Sequence, residues 1–585
     1  MYSFTTWSKR QVNPDLGQCL FSFVLIADTH VDRENLPSSS PFPINELCNG
    51  RTRYCIADIG ELSREMGSLA PKFTVHLGDL THPVPSMAAY STAVEDFRNI
   101  TTELKMPLYL VPGNHDVGDK PVDWAPAGVV RERFLTAWNR NFGSHYQSFS
   151  HGGVKFVLLN AQIINSGLEL EHQQRTWFES TLKTADGERI MLLLHYPPYL
   201  YTEDEAENYD NLAIPGRTWL LDLSEKYNVE ALFAGHVHHF WYNRYKSMDC
   251  YLLPSTSFTR QDYSEMFRAA PSEQMADGRN DSAKVGYFVV LVYENGHVCH
   301  FRSTKGSTLQ PAEEISESRK TSQVIPLHPR EAKMNRVGFD MRHPWAEVVE
   351  IAPSGALDEF SRKRVRNDYP LFALWQMGTG LMRIPTSDLE DSQTVARMQA
   401  LQELGHTFVI TSDGVPDAKT LACLTRCKDL VRRWEIAIPI AKIDELKDSL
   451  QLFKSETRLP IYLSKLRMKS DRVKDGEPYY HQISHGFSVA DEDEINTLLN
   501  YSGQRRLFEG AVFRIARTEC VSKSLTEVEA ICERLGVGAS VTMFMADPNP
   551  AKHRCDDHDT AYRIAESMFS AASLGKVELI VDTFI

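Results

Sequence analysis

Leu108–Val117 reads LYLVPGNHDV: an apolar run stopped by Pro112-Gly113, then Asn114, His115 and Asp116 in succession. An amide oxygen, an imidazole and a carboxylate together can ligate a metal ion or move a proton. Four other apolar runs in the first half end in the same kind of residue. FSFVLI runs into Ala27-Asp28-Thr29-His30, the run at 72–77 into Gly78-Asp79, RIMLLL into His195, and Val229–Phe233 into Gly235-His236-Val237-His238. Collected, Asp28, His30, Asp79, Asn114, His195, His236 and His238 are O and N donors with no thiolate among them. The set is too large for one tetrahedral zinc and suits two ions sharing a carboxylate. A single Asp or His at a strand end is ordinarily a cap or a satisfied polar group. Five such ends in one order are not.

Each donor follows a run that reads as a strand buried on both faces. Residues two apart on an extended chain point the same way, so Asp28 and His30 can reach one ion. Between the strands the pattern turns helical at Asp58–Leu69, Ser86–Leu104, Glu171–Thr184 and Thr218–Tyr227. Strands alternating with helices predict an α/β sheet, and the carboxyl edge of such a sheet is where ligands bind.

The ordered blocks Asp-x-His, Gly-Asp, Gly-Asn-His-Asp, His and Gly-His-x-His resemble the calcineurin-like metallophosphoesterases over about Phe21–Thr304. Block spacing, Gly-His-Val-His and Leu253-Pro254-Ser255-Thr256 are most similar to the bacterial cyclic-nucleotide and glycerophosphodiester phosphodiesterase branch. The resemblance implies a two-sheet α/β sandwich flanked by helices. It implies that Asp28, His30 and His238 hold one ion, that Asn114, His195 and His236 hold the other, and that Asp79 bridges them. Two such ions activate a bridging hydroxide against a phosphoric ester. His115, not needed as a ligand, is then expected to protonate the leaving alkoxide as general acid, with Asp116 orienting it. His239 is expected to be an outer or surface residue. Mn, Fe, Zn and Co all accept such donors, as divalent or trivalent ions. The expected reaction is hydrolysis of a small phosphodiester, such as a cyclic nucleotide or glycerophosphodiester. The alternative within the same chemistry is a phosphomonoesterase on a sugar phosphate or nucleotide.

The 585 residues carry a net charge of −14, which argues against a nucleic-acid polymer as partner, because phosphate backbones are held chiefly by Lys and Arg. A small phosphorylated substrate stays compatible, since bound ions supply positive charge locally. No apolar stretch is long enough for a membrane span and no leader is evident, so a soluble, cytoplasmic protein is expected. Ten cysteines are too sparse for a disulfide scaffold. Cys423 and Cys427 read as thiols on a buried helix face. Composition does not address oligomeric state.

Three segments are expected: 1–304 as the phosphoesterase half, 305–336 as a polar linker, and 337–585 as a second domain. In the last, apolar runs at Leu371–Met377, Thr407–Thr411, Glu435–Ile440, Pro460–Ser464, Tyr479–Ser484, Gly510–Ile515, Ser540–Met545 and Val577–Val581 alternate with helical patterns. Eight strands in this alternation predict a (β/α)8 barrel, with Gly355–Val365 as a helix ahead of the first strand. Barrel function sits at the carboxyl ends of the strands, here Asp413, Lys465, His485, Arg514, Asp547 and Asp582. Residues of both signs there suit an anionic or polyhydroxylated ligand, and a two-headed enzyme with a lyase or isomerase barrel is a further alternative.

Overall fold

The computed structural model describes residues 12–13, 16–33, 44–122, 125, 128–264, 266, 281–316, 330, 336–352, 360–474, 483–499, 507–546 and 556–582. They form two compact units, one of Thr5–Pro326 with Glu347–Gln376, the other of Leu327–Ala346 with Met377–Ile585. Most of the expected linker, 317–329 and 331–335, lies outside the described residues.

The first unit is built on two mixed six-stranded sheets. One runs Gly296–Ser303, Gly286–Tyr293, Gly17–Ile26, Thr74–His76, Leu108–Leu110, with Val12–Asn13 beside Gly17–Ile26. The other runs Gln147–His151, Val154–Leu158, Arg189–Leu194, Ala231–Ala234, Met248–Leu252, Trp241–Tyr245. Phenylalanines fill the space between them: Phe23 lies 5.2 Å from Phe156 edge-on and 5.1 Å from Phe73 stacked. Such pairs add about 0.5–1.5 kcal/mol beyond the area they bury. Glu230 also ties the sheets, accepting from Arg189 at 2.6 Å and meeting His297 Nδ1 at 2.6 Å.

Helices close both outer faces. Ile44–Met66 buries Ile56, Ile59, Leu62 and Met66 against Val24, Ile26, Val289 and Leu291. Phe178 and Leu182 of Glu169–Lys183, with Leu220 and Leu221 of Gly216–Lys226, cover Leu192, Leu194 and Leu232. Each such side chain contributes roughly 1.5–3 kcal/mol on leaving water. The donor-bearing strands fall three in one sheet and two in the other. Gly17–Ile26, Thr74–His76 and Leu108–Leu110 are parallel neighbours, and so are Arg189–Leu194 and Ala231–Ala234.

The second unit is a closed barrel of eight parallel strands: Val337–Asp340, Leu381–Pro385, Thr407–Asp413, Val431–Ile438, Ile461–Lys465, Gly510–Ile515, Gly538–Met543 and Val577–Val581. Gly338 pairs with Ile580, which closes the ring and removes the sheet edges. The lumen is partly ionic: Arg383 donates to Asp340 at 2.8 Å and Thr542 at 2.8 Å, and Arg433 to Glu435 at 2.9 Å.

Three expectations for this half are corrected. Leu371–Met377 is no strand; Tyr369–Met377 is a helix, and an apolar run this short is ambiguous between a buried helix and a buried strand. Lys363–Arg366, overlapping the end of the expected helix Gly355–Val365, is a strand paired with Val348–Ile351. Ser484, at the end of the expected strand Tyr479–Ser484, lies outside any strand, and 479–482 lie outside the described residues. Val337–Asp340 and Leu381–Pro385 take the two vacated places.

The hairpin and helix of 347–376 pack on the sandwich. Val365 joins Leu200, Trp241, Leu252 and Tyr263 in one apolar cluster, and the Phe372 ring lies tilted 4.8 Å from that of Phe240.

Candidate metal centre

Asp28 and His30 follow strand Gly17–Ile26, and Asp79 follows Thr74–His76. His236 and His238 follow Ala231–Ala234, His195 follows Arg189–Leu194, and Asn114 opens the short helix Asn114–Val117. Five of these donors sit in the left-handed backbone region: Asp28 (φ 55°), His30 (47°), Asp79 (56°), His236 (72°) and His238 (58°). A non-glycine residue there is uncommon and costs of order 1–3 kcal/mol, a strain that the surrounding fold must impose. The kink turns each side chain off its strand axis into one space at the sheet edge.

Two groups of donors result. Asp28, His30, Asp79 and His238 have ligand atoms within 4.8 Å of one another, and so have Asp79, His195 and His236. Asp79 belongs to both. Its Oδ2 is 3.5 Å from His30 Nε2 and its Oδ1 3.4 Å from His195 Nε2. Asn114 Oδ1 completes the second group, 3.0 Å from His195 Nε2 and 3.1 Å from His236 Nδ1.

The donor chemistry fits cations. His195 Nδ1 faces the Leu77 carbonyl at 2.7 Å and His238 Nδ1 the Phe258 carbonyl at 2.7 Å. A carbonyl only accepts, so both Nδ1 atoms carry protons and both Nε2 atoms in the neutral rings present lone pairs. The His195 lone pair meets two further acceptors, Asn114 Oδ1 and Asp79 Oδ1, and the His238 lone pair faces His30 Nε2 at 3.1 Å. Lone pairs turned on one another call for a positive charge between them. Asp28 Oδ2 is buried without a hydrogen-bond partner and is one more such donor.

The electrostatics of these buried groups carry the same demand. Burial pushes the His30 and His236 imidazoles well below their ordinary range and the Asp28 carboxyl well above its own. Burial works on His195 in the lowering direction, yet Asp79 beside it holds it up at about 9. Burial would raise Asp79, and the His195 and His115 imidazoles overrule it, keeping the carboxyl well below the usual range. A proton on His195 thus serves Asp79 where a cation otherwise would.

His115 borders the pocket, its ring 4.7 Å from His30. Its Nδ1 lies against the His82 carbonyl, so Nδ1 is protonated and Nε2 is the nitrogen left to exchange a proton with substrate. The expected role of Asp116 is corrected. Its oxygens accept from the backbone N–H groups of Gly113 (2.8 Å), Leu80 (3.1 Å) and Thr81 (3.5 Å), not from His115. A carboxylate one residue from an imidazole on a helical turn faces away from it. Asp116 pins the two donor-bearing loops together. His239 is no surface residue; it is buried, with Nδ1 on the Tyr369 hydroxyl.

The sequence alone does not single out several neighbours. His82 forms a third group with His30 and His115. Its one local sign is its place three residues past Asp79. Asp210 Oδ1 lies 3.5 Å from His236 Nε2, and Asp210 is paired with Arg260 and Lys363. Only tertiary structure brings those three together.

At the barrel's carboxyl edge, Asp413 and His485 line a cavity of about 740 Å3 together with Arg467, Lys469 and Arg472. Burial pushes His485 down to about 4, and its Nδ1 meets Ser464 Oγ at 2.9 Å. Lys465 is engaged with Glu494 at 2.7 Å and Asp491 at 3.4 Å. Arg514 lies over the Phe544 ring, and Asp582 accepts from Met545 N at 2.9 Å. Asp547 lies outside the described residues.

Residues 21–240 match the family model of calcineurin-like phosphoesterases. A zebrafish (Danio rerio) relative, serine/threonine-protein phosphatase CPPED1, is 33% identical over 176 residues, 29% of this chain and 54% of that protein. An Arcobacter nitrofigilis relative, described as a probable glycerophosphodiester phosphodiesterase GpdQ, is 26% identical over 221 residues, 37% of this chain and 71% of that protein. The chain spans about half the length of the CPPED1 relatives it matches. Purple acid phosphatase PPD1 from yellow lupin (Lupinus luteus) aligns at 14% identity with a TM-score of 0.33, over 49% of this chain and 52% of that one. No described helix is long and apolar enough to cross a membrane.

Proposed function

We propose that the calcineurin-like phosphoesterase domain at the N-terminus of this chain is a binuclear metal-dependent hydrolase of small phosphoric esters, with phosphodiesters preferred. The observation that carries the reading is the double membership of Asp79 in two donor groups. Asp28, His30 and His238 would hold one ion, Asn114, His195 and His236 the other, and Asp79 both. Bound there, two ions supply an activated oxygen nucleophile at neutral pH and neutralise charge on the phosphoryl oxygens. His115 Nε2 holds the proton for the leaving oxygen, and the His82 carbonyl fixes its ring. Among the described residues behind His236, the cations Arg260 and Lys363 are already matched by Asp210 and Asp262. That leaves little extra positive charge for a dianionic monoester and favours a monoanionic diester. The CPPED1 relatives support monoester hydrolysis as the second reading. Purified protein reconstituted with metal and assayed on bis(4-nitrophenyl) phosphate and 4-nitrophenyl phosphate decides: faster diester turnover is expected, and a monoester rate far above it reverses the order.

For the barrel, the cavity beside Asp413 and His485 supports a ligand site for an anionic molecule, as in a two-headed enzyme. Among the described residues lining it, three cationic side chains face one carboxylate, in a chain whose net charge is −14. Thermal-shift screening of small organic phosphates and carboxylates against Arg467→Gln tests it.

A further inference from the structure

Resting on the binuclear reading, we propose that Asp210 is the positioning carboxylate of His236 and that Lys363, from the hairpin beyond the polar segment, fixes Asp210 in that role. The affinity of the Asn114–His195–His236 side of the centre then depends on a residue more than a hundred positions past the span matched by the family.

His236 points Nδ1 at Asn114 Oδ1, 3.1 Å away, toward the other donors. Its Nε2 points outward, is buried without a hydrogen-bond partner, and stands 3.5 Å from Asp210 Oδ1. For Nδ1 to offer a lone pair in the neutral ring, Nε2 must carry the proton, and Asp210 is the acceptor it faces. A carboxylate behind a ligating imidazole sets its tautomer and orientation and raises its basicity.

Asp210 is itself fully buried and held from three directions. Its Oδ1 takes the Arg260 guanidinium, while Oδ2 takes the Tyr263 hydroxyl at 2.5 Å and Lys363 Nζ at 2.6 Å. Lys363 also reaches Asp262 at 2.9 Å and lies 5.0 Å over the Tyr263 ring. An ammonium buried this deeply needs both carboxylates, and they need it.

The strand carrying Lys363 is laced to the segment just after His236. Trp241 Nε1 donates to the Arg366 carbonyl at 2.7 Å, Arg366 Nη2 to the Tyr242 carbonyl at 2.9 Å, and Tyr242 N to Asp368 at 3.0 Å. Lys363 is therefore placed by hydrogen bonds, each between a side chain and a backbone group, to the same segment whose histidine it serves.

Full-length Lys363→Met, Lys363→Arg and Asp210→Asn are to be titrated with chelator-buffered Zn2+, with thermal melts of the metal-free proteins alongside. Wild type should take up two ions. Lys363→Met and Asp210→Asn should each weaken one ion by roughly 10–100-fold and leave the other unchanged, as expected of a residue behind a ligand. Lys363→Arg should recover most of that loss. Wild-type affinity for both ions in Lys363→Met overturns the proposal, and so does an equal loss of both that tracks a lowered metal-free melt. If Lys363→Met does not fold, the near-isosteric Asp210→Asn decides by the same criterion. A wild type that binds two ions yet cleaves no ester overturns the proposed function and leaves this inference standing.

Discussion

Gly113→Ala should disable the centre from a position that ligates nothing. Gly113 has φ −101° and ψ 179°, extended backbone that alanine adopts freely, so the effect comes from the added methyl alone. A Cβ there would stand 2.1 Å from Asp79 N, 2.2 Å from Asp79 Oδ1 and 2.9 Å from its Cγ. Non-bonded atoms settle near 3.5 Å, so the shared carboxylate or the Asn114 loop must shift by about 1 Å. The shift also strains the hydrogen bond from His115 N to Asp79 Oδ1, now 2.9 Å. Because both donor groups contain Asp79, both ions should weaken together. Turnover should fall roughly 100-fold, the scale of a 1 Å misplacement, and overpacking should cost about 1–3 kcal/mol of stability. Gly60→Ala is the control: no atom lies within 4 Å of its added Cβ, and in a helix alanine is favoured by about 1 kcal/mol. The assay is metal content after gel filtration, ester turnover and thermal unfolding of both variants. Two ions and wild-type turnover in Gly113→Ala would refute the claim that Asp79 is packed in place against this turn.

His115→Ala should keep both ions and slow turnover about 10²–10⁴-fold, most for esters with poor leaving groups; equal slowing of activated and unactivated esters would contradict the proton role of Nε2. Glu230 predicts an acid-labile contact between the sheets. Burial would raise its carboxyl, but the hydrogen bonds from His297 and Arg189 hold it at about 2, below its unfolded value. Its stabilisation, at most about 3 kcal/mol, is present above pH 4.5 and is lost as pH falls toward 2. Denaturant unfolding should therefore separate wild type from Glu230→Gln at pH 7 and bring them together near pH 2. In the barrel, Arg383→Met leaves Asp340 and Glu435 buried without this partner and should cost about 3–5 kcal/mol in calorimetry, whereas near-neutral behaviour would show the lumen to be well hydrated.

The donors were legible because each lies within four residues of a strand's carboxyl end, so a linear pattern carries a three-dimensional fact. What surrounds them was not. Lys363 meets Asp210 across 153 positions of chain, and no spacing records such a meeting. Asp116 misled because adjacency in sequence suggested contact with His115, while helical geometry turns the two side chains apart. The barrel was legible as an alternation with the right number of strands, although two members were misassigned. Leu371–Met377 is apolar at every position but Gln376 because most of this helix is buried, and the four residues Val337–Asp340 are too few to show a period. The left-handed backbone at five donors also leaves no mark in residue type, since nothing about Asp or His demands φ above zero.

The most direct test of the shared-carboxylate centre is elemental analysis of metal-reconstituted wild type beside Asp79→Ala. Two ions per chain in the wild type, with most of both lost when Asp79 is removed, is the predicted result. One ion per chain with esterase activity retained, or an Asp79→Ala protein that still holds two, would contradict it.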